Sequence, residues 1–73
     1  MTKKRIAILG STGSIGTQAL NVVLEQKDRF EVEVLTAYRN AELLIEQAIA
    51  HQPNLVVIGE KSLYDKVYTA LDI

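Results

Sequence analysis

The 73-residue chain has no cysteine and no tryptophan, and it has one proline, one histidine and few aromatic side chains. Without cysteine there can be no disulfide, no thiolate nucleophile and no zinc site built on sulfur. No run approaches the roughly 20 apolar residues of a membrane span. Lys3, Lys4 and Arg5 precede an apolar run, but that run reaches only Leu9, too short for the ~7–15 residue core of a signal peptide. A net charge of −1 provides no bulk attraction to nucleic acid or to an anionic membrane, so neither is expected as a partner. Hydrophobic residues at 48% and charged residues at 23% fit a soluble α/β protein, for which a cytoplasmic location is the default. Seventy-three residues are near the lower limit for a self-sufficient core.

What is present is concentrated between Ile6 and Leu24. The apolar run Ile6-Ala7-Ile8-Leu9 leads into Gly10-Ser11-Thr12-Gly13-Ser14-Ile15-Gly16 and then into a segment of helical spacing. Strand, glycine loop and helix in that order aim the free N–H groups of a helix start at an anion, where hydrogen bonds and the helix dipole act together. Gly10 lets the chain leave the strand sharply. Gly13 lets a diphosphate approach without a Cβ in the way, and Gly16 lets the helix pack closely on the sheet. Thr12 and Ser14 offer hydroxyl or backbone N–H groups to a diphosphate, or else cap the helix.

The rest of the chain alternates. A helix is expected from Ser14 to about Gln26, with Ile15, Ala19, Val22 and Val23 on its inward stripe and Leu20 and Leu24 beside it. Phe30 to Ala37 reads as a second strand, Ala41 to Ala50 as a helix capped by Asn40 and stopped before Pro53, and Leu55 to Ile58 as a strand covered on both faces. Ser62 to about Ala70 reads as a last helix, opened by a capping box between Ser62 and Asp65. This β-α-β-α-β-α order predicts a Rossmann-like, three-layer half of a doubly wound parallel sheet with strand order 3-2-1. The first strand is then an edge. A bare edge of this kind favours self-association of the fragment, and the chain reads as the N-terminal piece of a larger protein.

In dinucleotide folds the adenosine end is read just after the second strand, where NAD sites place a carboxylate on the ribose. Here the residues are Tyr38-Arg39-Asn40, with no carboxylate and with a guanidinium suited to the 2′-phosphate of NADP. Tyr38 is placed either against the adenine ring or as an ordinary, partly buried loop residue. The remaining candidates read as structural. Glu31 and Glu33 form a solvated face at the start of a strand, and His51 ends a helix, where a protonated ring suits the dipole. Tyr64 and Tyr68 pack along a helix flank, and Glu42, Glu46, Glu60 and Asp65 are dispersed. No catalytic residue and no metal ligand is therefore expected within residues 1–73.

The unbroken Gly10-Ser11-Thr12-Gly13-Ser14-Ile15-Gly16 string, with Leu35-Thr36-Ala37-Tyr38-Arg39-Asn40 and Pro53-Asn54-Leu55-Val56-Val57-Ile58 behind it, resembles the start of the 1-deoxy-D-xylulose 5-phosphate reductoisomerase family. The resemblance implies an enzyme that uses NADPH and a magnesium or manganese ion. It would rearrange and reduce its sugar-phosphate substrate to 2-C-methyl-D-erythritol 4-phosphate in non-mevalonate isoprenoid biosynthesis, as a homodimer. It also implies cofactor contacts at Thr12, Gly13, Ser14, Ile15, Arg39 and Asn40. Tyr38 departs from the family pattern, in which glycine is frequent at that position. Metal ligands, substrate-phosphate ligands and the catalytic histidine would lie in later domains. Two other kinds of protein share parts of the pattern: another glycine-loop oxidoreductase (a semialdehyde dehydrogenase or an atypical short-chain reductase) and a non-catalytic NADP-sensing module.

Overall fold

The computed structural model describes residues 3–72. Strand β1 (Lys4–Ile8) leads through the glycine loop to helix α1 (Ser14–Glu25). Strand β2 (Phe30–Ala37), helix α2 (Ala41–His51) and strand β3 (Leu55–Ile58) follow, then a 3-10 turn (Lys61–Leu63) and helix α3 (Tyr64–Leu71). The three strands are parallel and lie in space as β1-β2-β3, so β2 is central and β1 is an edge. This is the 3-2-1 order expected from the alternation.

Local chemistry accounts for most boundaries. In β2 the β-branched and aromatic content suits a pleated, half-buried surface. At the start of α2 the Asn40 side chain accepts the Leu43 N–H at 3.2 Å, which satisfies one of the donors that a helix start leaves open. The other end of α2 closes on Gln52, in the left-handed region at φ 51° with its N–H on Ala48, and Pro53 follows. α3 begins differently from the expected capping box. The Ser62 hydroxyl donates to Glu60 at 3.3 Å instead of capping, and the helix grows out of the preceding 3-10 turn at Tyr64.

The core is one cluster on one face of the sheet. Leu20 and Val23 from α1, Val32, Leu35 and Ala37 from β2, and Leu44 and Ala48 from α2 form it, with Ile6, Ile8, Val56, Ile58 and Leu71 packed against it. Leu35 and Leu44 are wholly buried. All three helices therefore share that face, and the Cα envelope is only 14 Å deep along its short axis, as two layers require. On the other face Leu55 and Val57 of β3 are exposed, so the strand expected to be covered on both faces is covered on one among the described residues.

Two further expectations fail for identifiable reasons. The inward stripe of α1 runs through Gly16, Leu20 and Val23, whereas Ile15 is 83% exposed and Val22 50%. The helix is rotated so that Gly16, which carries no hydrophobic signal, faces inward. In β2 the pairing with β1 skips Glu33, as Ile6 pairs with Val32 and Ala7 with Val34. This bulge brings Val32 and Leu35, three apart, onto the core side. Glu33 is consequently half-buried, and its carboxylate accepts two contacts from Asn54 Nδ2 at 2.6 and 2.8 Å, pinning the entry to β3. Glu31 does stay exposed, 3.3 Å from Arg5.

Candidate functional site

The glycine loop is held from three directions. Gly10 has φ +69°, a conformation that side chains rarely adopt, and this turns the chain out of β1. Its N–H donates to Thr36 Oγ1 at 3.0 Å, and the next N–H, of Ser11, donates to the Thr36 carbonyl at 2.7 Å. Ser11 is wholly buried; its hydroxyl donates to Gln47 Oε1 at 2.7 Å, and Gln47 Nε2 donates back to the Ser11 carbonyl at 2.8 Å. Gly16 closes the third side. A Cβ there would lie 2.7 Å from Ser11 Cα and 2.9 Å from Ser11 C, and closer still to the Gly10 carbonyl oxygen. The close approach is thus between helix and loop, rather than between helix and sheet as expected.

This scaffold leaves the start of α1 open. The N-cap is Gly13, which supplies no side-chain acceptor, and the first turn contains no acidic residue. Neither Thr12 nor Ser14 caps the helix, so the capping alternative for those two residues is excluded. The N–H groups of Ser14, Ile15 and Gly16 have no acceptor among the described residues. Gly13, Ser14 and Ile15 are exposed, Thr12 is half-buried, and a groove of ≈ 530 Å³ runs from Leu9 past Gly13 and Ser14 to Ala19. Gly10, Gly13, Ser14, Ile15 and Gly16 therefore line one opening at the C-terminal end of β1, and Thr12 lies in the same loop outside the groove's lining.

The second group, Tyr38, Arg39 and Asn40, follows the C-terminal end of β2 and lies on the same sheet edge, because Thr36 anchors the glycine loop two residues before Tyr38. Arg39 is exposed and makes no ion pair among the described residues. Its Cζ stands 6.0 Å from the Tyr38 ring centroid. Asn40 spends its side-chain oxygen on the α2 cap and keeps only its amide N–H groups for another partner. Tyr38 is 66% exposed, and its ring leans over Gly59, where a Cβ would meet Cδ1 at 2.5 Å. Among the described residues only Gln52 and Asp72 are non-glycine residues with positive φ, so Tyr38 adopts its backbone conformation without a glycine's freedom.

Three residues of this framework have no candidate role in the sequence reading: Ser11, Thr36 and Gln47. Gln47 had a usable signal, since it continues the inward spacing of Ala41 and Leu44 and is a polar residue placed on an apolar stripe. His51 lies away from the loop at the end of α2. Burial holds its pKa below the usual 6.5.

A family model for 1-deoxy-D-xylulose 5-phosphate reductoisomerase matches residues 6–73. The chain belongs to this family. A reductoisomerase from Bacteroides thetaiotaomicron is 55% identical over 69 residues, covering 94% of this chain and 18% of the relative. One from Porphyromonas gingivalis is 51% identical over the same length and shares. A solved reductoisomerase from Zymomonas mobilis in complex with NADPH superposes with a TM-score of 0.93 at 36% identity, covering 99% of this chain and 19% of that one. A second solved reductoisomerase, in complex with magnesium, gives a TM-score of 0.89 at 25% identity over 97% and 18%. The chain thus spans about a fifth of the length of these reductoisomerases. Membership decides against the semialdehyde dehydrogenase and short-chain reductase alternatives.

Proposed function

We propose that residues 1–73 are the N-terminal part of the NADPH-binding domain of a reductoisomerase that converts 1-deoxy-D-xylulose 5-phosphate to 2-C-methyl-D-erythritol 4-phosphate by rearrangement and reduction. The cofactor assignment is carried by one juxtaposition. Open N–H groups at the start of α1, with no competing carboxylate, share a sheet edge with an unpaired arginine at the end of β2. The first suits a diphosphate and the second an additional phosphate on the ribose. That a relative superposing over nearly the whole chain holds NADPH supports the same reading.

In this reading Thr12, Ser14, Ile15 and Gly16 hold the diphosphate through backbone N–H groups, Gly13, whose own N–H is bonded to the Gly10 carbonyl, lets it approach without a Cβ in the way, Gly10 sets the turn, and Arg39 with the Asn40 amide takes the 2′-phosphate. Tyr38, stacked beside Arg39, flanks the adenine. NADPH supplies the hydride for the reduction. Catalysis and the divalent ion are assigned in this reading to the remainder of the reductoisomerase, of whose length the chain spans about a fifth. The intact protein would act as a cytoplasmic homodimer, and no helix among the described residues is long and apolar enough to cross a membrane.

Cofactor titration of the intact protein tests the assignment. Arg39→Glu is expected to weaken NADPH binding by about 2–5 kcal/mol, through loss of one charge pair and creation of a repulsive one, with much less effect on NADH. An equal loss for both cofactors refutes the role of Arg39. For residues 1–73 alone, the unpaired edge of β1, with Leu9 75% exposed at its end, is expected to drive self-association. Sedimentation at high concentration showing only monomer would refute that.

A further inference from the structure

We propose that Gln47 is the positioning residue of the diphosphate site, acting through Ser11; the inference rests on the NADPH reading above. Gln47 is 8% exposed, and its amide is committed at both ends to one loop residue, with its oxygen accepting the Ser11 hydroxyl at 2.7 Å and its nitrogen donating to the Ser11 carbonyl at 2.8 Å. Ser11 is itself wholly buried, so no water competes for either bond. The remaining polar group of Ser11, its N–H, is held by Thr36 at 2.7 Å. Every hydrogen-bonding group of Ser11 is therefore fixed by α2 or β2, and none is available to a ligand.

Residues 12 to 16 inherit their orientation from this clamp. Gly13 N–H folds back onto the Gly10 carbonyl at 3.0 Å, and Gly16 rests against Ser11 Cα and the Gly10 carbonyl. A rotation of the Ser11 peptide would therefore swing the N–H groups of the α1 start away from a common centre. Binding geometry of this kind depends on supports that touch no ligand atom. The same helix that clamps Ser11 opens at Asn40, next to Arg39, so α2 ties the diphosphate half of the site to the 2′-phosphate half.

The test uses the intact protein and three probes: NADPH, NADH and 2′-AMP, which offers the Arg39 side a phosphate but carries no diphosphate. Gln47→Met keeps length and helix propensity while removing both amide contacts. The expected result is a rise of about tenfold in Kd for NADPH and NADH alike, as loss of about one net hydrogen bond from the misaligned loop N–H groups to the diphosphate implies, with 2′-AMP binding within about twofold of wild type. In turnover, KM for NADPH should rise while kcat at saturating cofactor holds, the mark of lost uniform binding. Ser11→Ala should give a smaller change of the same pattern, and the double variant should be no worse than Gln47→Met, because the two side chains act as one unit. Unchanged NADPH affinity in Gln47→Met would overturn the proposal, as would parallel loss of all three probes, which would mark a role in folding only. Failure of wild type to bind NADPH or 2′-AMP would instead overturn the cofactor reading on which it rests.

Discussion

Gly16→Ala sets two opposing effects against each other, and the structure decides between them. Replacing glycine by alanine within a helix ordinarily stabilises by about 1 kcal/mol. At Gly16 the added methyl would lie 2.7 Å from Ser11 Cα and 2.9 Å from Ser11 C, with the Gly10 carbonyl oxygen nearer still. All three neighbours are backbone, so no rotamer change relieves the overlap, and α1 must move away from the loop by roughly 1 Å to restore ordinary contact. Overpacking of this severity costs about 1–3 kcal/mol or more. The net expectation is a loss of about 1–2 kcal/mol in denaturant unfolding, accompanied by weaker NADPH binding because the loop shifts. Gly13→Ala is the control. Its Cβ would stand 3.4 Å from the Gly10 carbonyl at φ −79°, an ordinary contact in an ordinary conformation. That variant should cost about 0.5 kcal/mol, because alanine is a much poorer N-cap than glycine, a loss offset in part by the smaller backbone freedom of alanine in the unfolded chain. It should nevertheless weaken NADPH by placing a methyl at the site's opening. Wild-type stability in Gly16→Ala, or a larger destabilisation from Gly13→Ala, would refute the division of labour between the two glycines.

Asn40→Ala should cost about 1 kcal/mol, because it removes the acceptor for the Leu43 N–H at the start of α2; unfolding midpoints check it, and no change would mean that water caps the helix equally well. His51 has a folded pKa held below 6.5 by burial, so the unfolded chain takes up the proton first as pH falls. Its contribution is therefore present in full above pH 6.5 and is lost as pH falls through the lower folded value. Wild type should lose more stability than His51→Gln between pH 8 and pH 5, by denaturant midpoints; the opposite sign would mean that the helix dipole outweighs burial.

The parts of the fold that were legible in the sequence are those where one local signal dominates. Alternation of strand and helix patterns yields the parallel sheet and its order, Asn40 yields its cap, and the spacing of Gly10, Gly13 and Gly16 yields the turn from β1 into α1. The misreadings arise where tertiary context changes what a residue means. Hydrophobic spacing in α1 favoured Ile15, Ala19 and Val22, yet the helix turns on Gly16, whose value lies in having no side chain. Ile15 and Ala19 line the groove beside the free edge of β1 instead. Glu33 looked like half of a solvated pair, but a bulge in β2 rotates it toward Asn54. Of the candidate site, the exposed loop and turn residues were singled out in the sequence and their supports were not, since Ser11, Thr36 and Gln47 become partners only when β1, β2 and α2 are brought together.

A comparison of helix starts within the chain sharpens why the loop reads as a site rather than as a plain turn. α2 uses the Asn40 side chain to satisfy its first turn. α3 grows out of a 3-10 turn, in which Leu63 N–H bonds to Glu60 and Tyr64 N–H to Lys61. Only α1 is left with neither device, although Thr12 and Ser14 flank its N-cap and are residue types that could serve. Elsewhere polar groups are well provided for: among the described residues no buried side-chain nitrogen or oxygen lacks a partner. Placing Gly13 at that N-cap also gives up little stability relative to a side-chain cap, a few tenths of a kcal/mol. Among the helix starts of the described residues, α1 is therefore the one left with an open first turn; it carries no acidic residue there and stands beside an arginine without an ion pair among the described residues, and a bound polyanion is the partner that would complete both at once.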